Sequence, residues 1–479
     1  MSLSPISPMW LLRGFLCFVI ITSFGAGVVL TAAYDPPEIQ TGTVEDPARG
    51  TTYVAVQGFH FQGEGATKKP ARLVSIDEQA QPKWIYNGSK RGVSWFYNVD
   101  PLPNGNILAV NTVPERTLVY ELRPESKDRV WQQNFSITDT HDVDLINDDQ
   151  LLVANMREYD TENETSNDRL FIYDLSKDEI VWEWYFKNHY PNQTDGGMNK
   201  DWSHVNDVDK IADGEYLVSP RNFDQVIVVN RSTKDITMQL GADQKHTILH
   251  EQHDPQYLES QIETPTILVA DSENDRVVEY SCVTRSDTGE CQWQQVWVVG
   301  DEQLNWPRDA DRLPNGNTLI VDSLGHRVIE VTPTGEIVWE VYTPWAPFDV
   351  ERASYGNEPG GPTMLDQNVS GSYQLSGSAG ETPGTGTGID AGTPTFPEWI
   401  KTTMSGTPLD SVALEFAETW QGVSQWVKPI WMAPWSLVYF SMDILLIFVW
   451  GTTEVILHRR WISTEIRRTL RRMRRLRSS

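Results

Sequence analysis

Between about residues 50 and 345 the chain alternates short apolar runs with turn residues, and the alternation itself repeats. The clearest unit opens at Pro307. It reads Arg308-Asp-Ala-Asp311, Leu313-Pro-Asn-Gly-Asn317, Thr318-Leu-Ile-Val-Asp322, a turn at 323–326, Arg327-Val-Ile-Glu-Val331, Thr334-Gly335 and Glu336-Ile-Val-Trp-Glu340. Each run has the length and period of one strand, and Asn315-Gly316 and Thr334-Gly335 suit tight hairpins. The frame returns upstream around Asn98-Val-Asp100, His141-Asp-Val-Asp144, Asp207-Val-Asp209 and His253-Asp254, with a weaker copy over residues 53–86. Six such units of about 40 to 50 residues, four strands each, predict an all-β, six-bladed β-propeller over 50–345, with a solenoid of sheets as the alternative. Closure favours the propeller because it leaves only short sheet edges. The final blade is expected to be completed by a strand from the other end of the chain.

The pattern stops after Trp345. Residues 346–428 read as a stalk: 356–395 are rich in Gly, Ser, Thr and Pro, and a short amphipathic helix is expected around 409–426. Two apolar stretches, 9–33 and 430–457, bracket the head, and each is long enough to cross a bilayer as a helix. The first reads equally as an anchor or a cleaved signal segment. Residues 458–479 carry nine arginines against Glu465, so the positive-inside rule places this tail in the cytoplasm and the head outside the cell. Ile462, Ile466, Leu470, Met473 and Leu476 recur at helical spacing, as in an amphipathic helix on anionic lipid; a plain stop-transfer flank is the alternative. Asp443, within the second span, calls for a partner helix or a bound proton; for Glu454, snorkelling of a slightly shifted span is the plain alternative.

Charge sharpens this picture. The formal net charge is −27, and the basic tail accounts for +8, leaving −35 for the rest. Such a head is no nucleic-acid binder, since phosphate contacts need clustered Lys and Arg. Dense acid with little lysine suits a protein kept soluble in high salt, which points to a halophilic source, with an acidic mesophilic ectodomain as the alternative. Three cysteines occur; Cys282 and Cys291 flank a polar hairpin-like stretch and are expected to form a disulfide.

Aligned on the repeat, one column stands out: Tyr97, His141, Asn206, His253 and Arg308, all capable of hydrogen bonding. The first strand of a propeller blade lines the central channel, so these side chains are expected to converge. His204, two residues before Asn206, shares its face by strand alternation. His60, His189, His246 and His326 fall in turns or linkers and read as surface. Three histidines invite zinc, but no carboxylate or cysteine joins them at ligand spacing, so neither a metal nor a cofactor is expected.

Thr140-His-Asp-Val-Asp144, Asp201-Trp-Ser-His-Val-Asn-Asp-Val208, Leu217-Val-Ser-Pro-Arg-Asn222 and Glu251-Gln-His-Asp254 resemble the arylsulfate sulfotransferases, six-bladed propellers that move sulfate between phenols without a nucleotide donor. The resemblance covers about residues 93–341. It implies that His253 is the nucleophile that takes the sulfuryl group, with His141, His204 and Arg221 holding the sulfate, and an aryl sulfate and a phenol as small-molecule partners. A neutral imidazole is a competent nucleophile, and an arginine fork suits the anion. Asn222 and Asn206 are expected to donate further hydrogen bonds; Arg308 and Tyr97 join from the column alone. The N-terminal sandwich domain of some family members has no counterpart here, which leaves the oligomeric state open. A non-catalytic surface propeller that binds glycans or proteins is the alternative.

Overall fold

The computed structural model describes residues 8–34, 38–39, 41–45, 49–58, 69–113, 116–285, 291–301, 303–377, 395–429 and 431–476. They form two compact units, 37–386 and a helical unit made of both chain ends.

The larger unit is the propeller. Blade 1 has the strand order Pro347–Arg352, Thr52–Val56, Arg72–Ile76, Pro82–Asn87 from the axis outward. Blades 2 to 6 follow in chain order, each an antiparallel four-stranded sheet. Their innermost strands are Trp95–Pro101, Val143–Ile146, Val205–Ala212, His253–Glu259 and Pro307–Arg312. The second strand of each blade is short and buried almost throughout, because each blade packs against two neighbours. Six hydrophobic clusters fill the six gaps. The one between blades 6 and 1, with Val54, Val74, Leu319, Val328, Trp339 and Val350, closes the ring. Outer-strand tryptophans tie neighbours together: Trp182 Nε1 donates to the Arg231 carbonyl at 2.9 Å and Trp297 Nε1 to the Pro333 carbonyl at 2.8 Å.

Closure differs from the sequence expectation. The first blade, not the last, borrows a strand: Pro347–Arg352 pairs with Thr52–Val56 and forms its channel-side edge. The final blade supplies its own four strands and gains Thr43–Val44 as a fifth. Gly371–Tyr373 likewise adds to blade 5, in parallel with Trp297–Val299. The stalk therefore does not begin at residue 346. The Gly- and Ser-rich composition from 356 hid Phe348-Asp-Val-Glu351, a sixth copy of the inner-strand frame. Residues 378–394 of the expected stalk lie outside the described residues. Cys282 and Cys291 form a disulfide across the hairpin of blade 5, with Cα atoms 5.2 Å apart.

Carboxylates staple the inner strands. Asp142 of blade 3 accepts the Val208 N–H of blade 4 at 2.9 Å, Asp309 of blade 6 that of Val350 in blade 1 at 2.7 Å, and Asp349 of blade 1 that of Val99 in blade 2 at 2.5 Å. At these three junctions the geometry is the same: the residue after the column position accepts the amide two places beyond the column position of the next blade.

In the helical unit, α1 (Pro8–Ala33) and α4 (Pro434–Leu476) contain apolar stretches, Met9–Ala33 and Pro434–Arg459, long enough to cross a membrane by length and composition. Between them in sequence lie α2 (Phe396–Met404) and α3 (Asp410–Val427), the latter where the short helix was expected. The polar residues of the two long helices pair: Ser23 Oγ donates to Asp443, and Arg13 makes a fork to Glu454 at 2.6 and 2.7 Å. Glu454 is thus an ion-pair partner rather than a lone snorkelling acid. At 43 residues, about 65 Å, α4 runs on through the arginine-rich tail without a break, so the tail is not a separate helix.

Candidate functional site

The column residues reach the axis by a shared backbone device. In blades 1, 2, 4 and 6 the pairing of the inner strand skips the column position, leaving Phe348, Tyr97, Asn206 or Arg308 at the irregularity, and in blade 5 it skips Asp254 and Pro255, immediately after His253. A bulge bends its strand and re-aims the extra side chain. The approach is strained as well: His204, Glu251, Asp254 and Trp306 adopt φ of 42°, 47°, 42° and 56°, a region non-glycine residues rarely enter. His204 therefore arrives through a left-handed turn before its strand, and strand alternation is not what brings it to the site.

The side chains converge as the repeat implied. The His141 ring lies 3.9 Å from that of Tyr97, 5.2 Å from His204 and 5.3 Å from Phe348, and His253 lies 5.9 Å from the same Phe348. All three histidines are buried. Phe348 is the hub, and it was missed because its segment read as stalk. Arg308 is sandwiched, its guanidinium 3.9 Å from the Trp306 ring centre and 4.7 Å from that of Phe348.

Arg221 and Ser272 open equivalent turns after the second strands of blades 4 and 5. Arg221 lies 3.2 Å from His204 Nδ1 and pairs with Glu251. Asp201 Oδ2 sits 2.9 Å from that same Nδ1. Arg157 bridges Asp201 and Asp139 at 2.6 Å each. Asp201 and Glu251 stand inside the sequence motifs but carried no expected role; Arg157 and Asp139 gave no signal. Ser272 Oγ lies 2.8 Å from His253 Nδ1 and 2.6 Å from the Pro307 carbonyl. The two asparagines are partly spent: Asn206 donates to the Gln252 carbonyl at 2.9 Å and Asn222 to that of Asp201 at 2.5 Å. Among the other histidines, His326 is buried, its Nδ1 accepting the Ala346 N–H at 3.2 Å, so the surface reading fails there. His60 lies outside the described residues.

Electrostatics follow from burial. Desolvation pushes His253 well below the usual imidazole range, with Arg308 and Arg221 adding to it. Burial and then Arg221 bring His204 down to about 3, and burial and then His204 push His141 down. The imidazoles are thus neutral at physiological pH. Arg308 falls to about 9, through burial, and keeps its charge. Arg157 and Arg221 face carboxylates. Arg308 donates only to Gln57 Oε1, at 2.8 Å, and makes no ion pair among the described residues. The cluster therefore offers neutral nitrogen lone pairs beside a buried, uncompensated guanidinium, a setting for an anion.

Comparison with curated proteins gives no match. Among solved structures the chain is similar to a protein of unknown function from Bacteroides caccae (12% identity, 68% of this chain and 98% of that one, TM-score 0.41). It is similar also to a putative 6-phosphogluconolactonase from Bacteroides fragilis (14%, 64% and 99%, 0.41) and to virginiamycin B lyase from Staphylococcus aureus (9%, 51% and 69%, 0.32). Residues 120–343, from the third strand of blade 2 to the end of blade 6, match the model of the arylsulfotransferase (ASST) family, and this stretch carries His141, His204, Arg221, His253 and Arg308.

Proposed function

We propose that the propeller transfers a sulfuryl group from an aryl sulfate to a phenol through a sulfo-histidine at His253. One observation carries the reading. Ser272 has a single hydroxyl hydrogen, and the Pro307 carbonyl, 2.6 Å away, can only accept it. The hydroxyl oxygen must then accept from His253 Nδ1, 2.8 Å away. The proton sits on Nδ1, and the lone pair is left on Nε2. Burial keeps that ring unprotonated, so the nucleophile needs no base.

In the first half-reaction Nε2 attacks sulfur, the S–O(aryl) bond breaks, and the phenolate leaves with the electron pair. Arg308 and Arg221 face the charge on the sulfuryl oxygens and the leaving oxygen. In the second, the acceptor phenol attacks sulfur, the S–N bond breaks, and the phenolic proton passes to a neutral imidazole, His141 or His204. The chain's two long apolar helices and basic tail support a membrane-anchored protein with the head outside the cell and the tail inside.

The test is a donor–acceptor assay on the full chain in detergent and high salt, with wild type and His253→Ala side by side. Wild type should turn over an aryl sulfate with double-displacement kinetics and, without acceptor, hold a sulfuryl adduct on the peptide containing His253. Equal rates for the two proteins, or no adduct, would refute the mechanism.

A further inference from the structure

The staple between inner strands is made at three of the six junctions, and at the junction of blades 4 and 5 the sequence itself rules it out and leaves a carboxylate stranded. Asp142, Asp309 and Asp349 each accept an amide hydrogen from the next blade. The equivalent partner of Asp207 is residue 255, a proline, which has no amide hydrogen. Asp207 Oδ2 is buried without a hydrogen-bond partner, and so is Asp209 Oδ2 two residues on; both side chains are more than nine-tenths buried. They face Asp142, and one oxygen from each of the three lies within 4.8 Å of the others. No arginine or lysine among the described residues pairs with any of the three. Three carboxylates confined in this way and shielded from water repel one another strongly unless something positive sits among them.

We propose that Asp142, Asp207 and Asp209 hold one hard divalent cation, of the Ca²⁺ type, on the channel wall between blades 3 and 4. The ligand set is oxygen only, which selects Ca²⁺, Mg²⁺ or Mn²⁺ over softer metals. Oxygens up to 4.8 Å apart are bridged by a single ion with bonds of about 2.3–2.6 Å, the Ca²⁺ range, more readily than by Mg²⁺ at about 2.0–2.1 Å. The three side chains supply part of the coordination shell, and water completes it. A second group, Asp254, Asp309 and Asp349, is similarly close, but two of its members are occupied as staples, so the assignment rests on the first group. The ion would take the place of the missing Asp207 staple by tying blade 3 to blade 4, beside the strands that deliver His141, His204 and Asn206. It departs from the expectation of no metal, which weighed only the histidines. It is independent of sulfuryl transfer and is tested without any turnover.

The full chain, purified in detergent, is stripped with a chelator and titrated with CaCl₂ in concentrated KCl. Calorimetry follows binding and a thermal melt follows stability. Saturable binding of one equivalent is expected, with a rise in melting temperature of roughly 3–8 °C at saturation. Asp207→Asn should weaken binding at least tenfold and lose the thermal response. Pro255→Ala returns an amide hydrogen to Asp207; it should weaken binding while raising the melting temperature of the stripped protein. The absence of saturable uptake of Ca²⁺, Mg²⁺ or Mn²⁺ by stripped wild type would overturn the site in favour of carboxylates that share protons. So would an Asp207→Asn protein that folds and binds Ca²⁺ as tightly as the parent. If Asp207→Asn does not fold, the wild-type titration and Pro255→Ala still decide.

Discussion

Ser272→Ala tests whether the His253 tautomer is set by its neighbour. The substitution removes one hydroxyl that both accepts from His253 Nδ1 at 2.8 Å and donates to the Pro307 carbonyl at 2.6 Å. Ser272 is fully buried, so water does not replace it freely, and leaving such groups unpaired costs about 1–3 kcal/mol of stability. The kinetic effect is separate. Without an acceptor at Nδ1 the proton is free to move to Nε2, which removes the attacking lone pair. Loss of a tautomer bias of about 1–2 kcal/mol lowers kcat roughly 5- to 30-fold. The donor KM should stay near the parental value, because the arginines are untouched. Steady-state assays with an aryl sulfate and a phenol measure both constants, and ¹⁵N-histidine NMR reports which nitrogen carries the proton. Ser272→Thr keeps the hydroxyl and should restore turnover. Parental activity in Ser272→Ala would refute the reasoning. So would a slow Ser272→Ala enzyme whose spectrum still shows the proton on Nδ1, since a merely structural role would produce that pattern.

Arg308→Lys keeps a charge but loses the planar fork and its stacking on Trp306 and Phe348. It should lower kcat/KM for the sulfate donor about 10- to 100-fold, and an unchanged value would remove Arg308 from the site. His204, held near 3 when folded against about 6.5 when unfolded, binds its proton more readily in the unfolded chain. Its contribution to stability is thus complete above pH 6.5 and is lost as pH falls toward 3, by at most about 4–5 kcal/mol. Denaturation of wild type and His204→Asn across that window checks it, and the variant should show the shallower slope. In the helical unit, a Ser23→Cys, Asp443→Cys double variant should cross-link within one chain in membranes, as the contact between these residues implies. Gly27→Leu should suppress the cross-link, because a Cβ at Gly27 already meets the Phe440 ring at 2.7 Å. An unaffected cross-link would mean that the helices pair on other faces.

Much of the propeller was legible because each blade repeats one frame, and repetition turns residues far apart in the chain into neighbours. Tyr97, His141, Asn206, His253 and Arg308 could be placed at the axis by counting alone. Counting could not supply Phe348, because the Gly- and Ser-rich segment behind it masked a copy of the frame that completes the first blade from the far end of the chain. Nor could it supply the manner of convergence. Strand alternation placed His204 beside Asn206, whereas the structure delivers it through a left-handed turn, and a bulge is a backbone property with no fixed residue signature. Arg157 stayed invisible for a related reason. It lies where blade 3 inserts a two-stranded excursion, Tyr159–Asp160 with Thr165–Ser166, for which the repeat has no equivalent.

The departures from the repeat say more about chemistry than the repeat does. A ring of identical blades would place identical residues at the axis, and identical residues cannot divide a reaction into roles. Here one frame position is occupied by imidazole twice and by guanidinium, amide, phenol and phenyl once each. The following position is aspartate in five blades and asparagine in blade 2. Three of these aspartates, Asp142, Asp309 and Asp349, tie the ring by accepting amides of the next blade, which leaves the column residues free to vary without loosening those junctions. Pro255 follows the same logic: a single residue that cannot donate converts one structural carboxylate into a free one, two residues from His253. Stability and chemistry are thus carried by adjacent positions of one motif. It follows that substitutions in the column should alter turnover with little effect on folding, and substitutions one residue later should do the reverse.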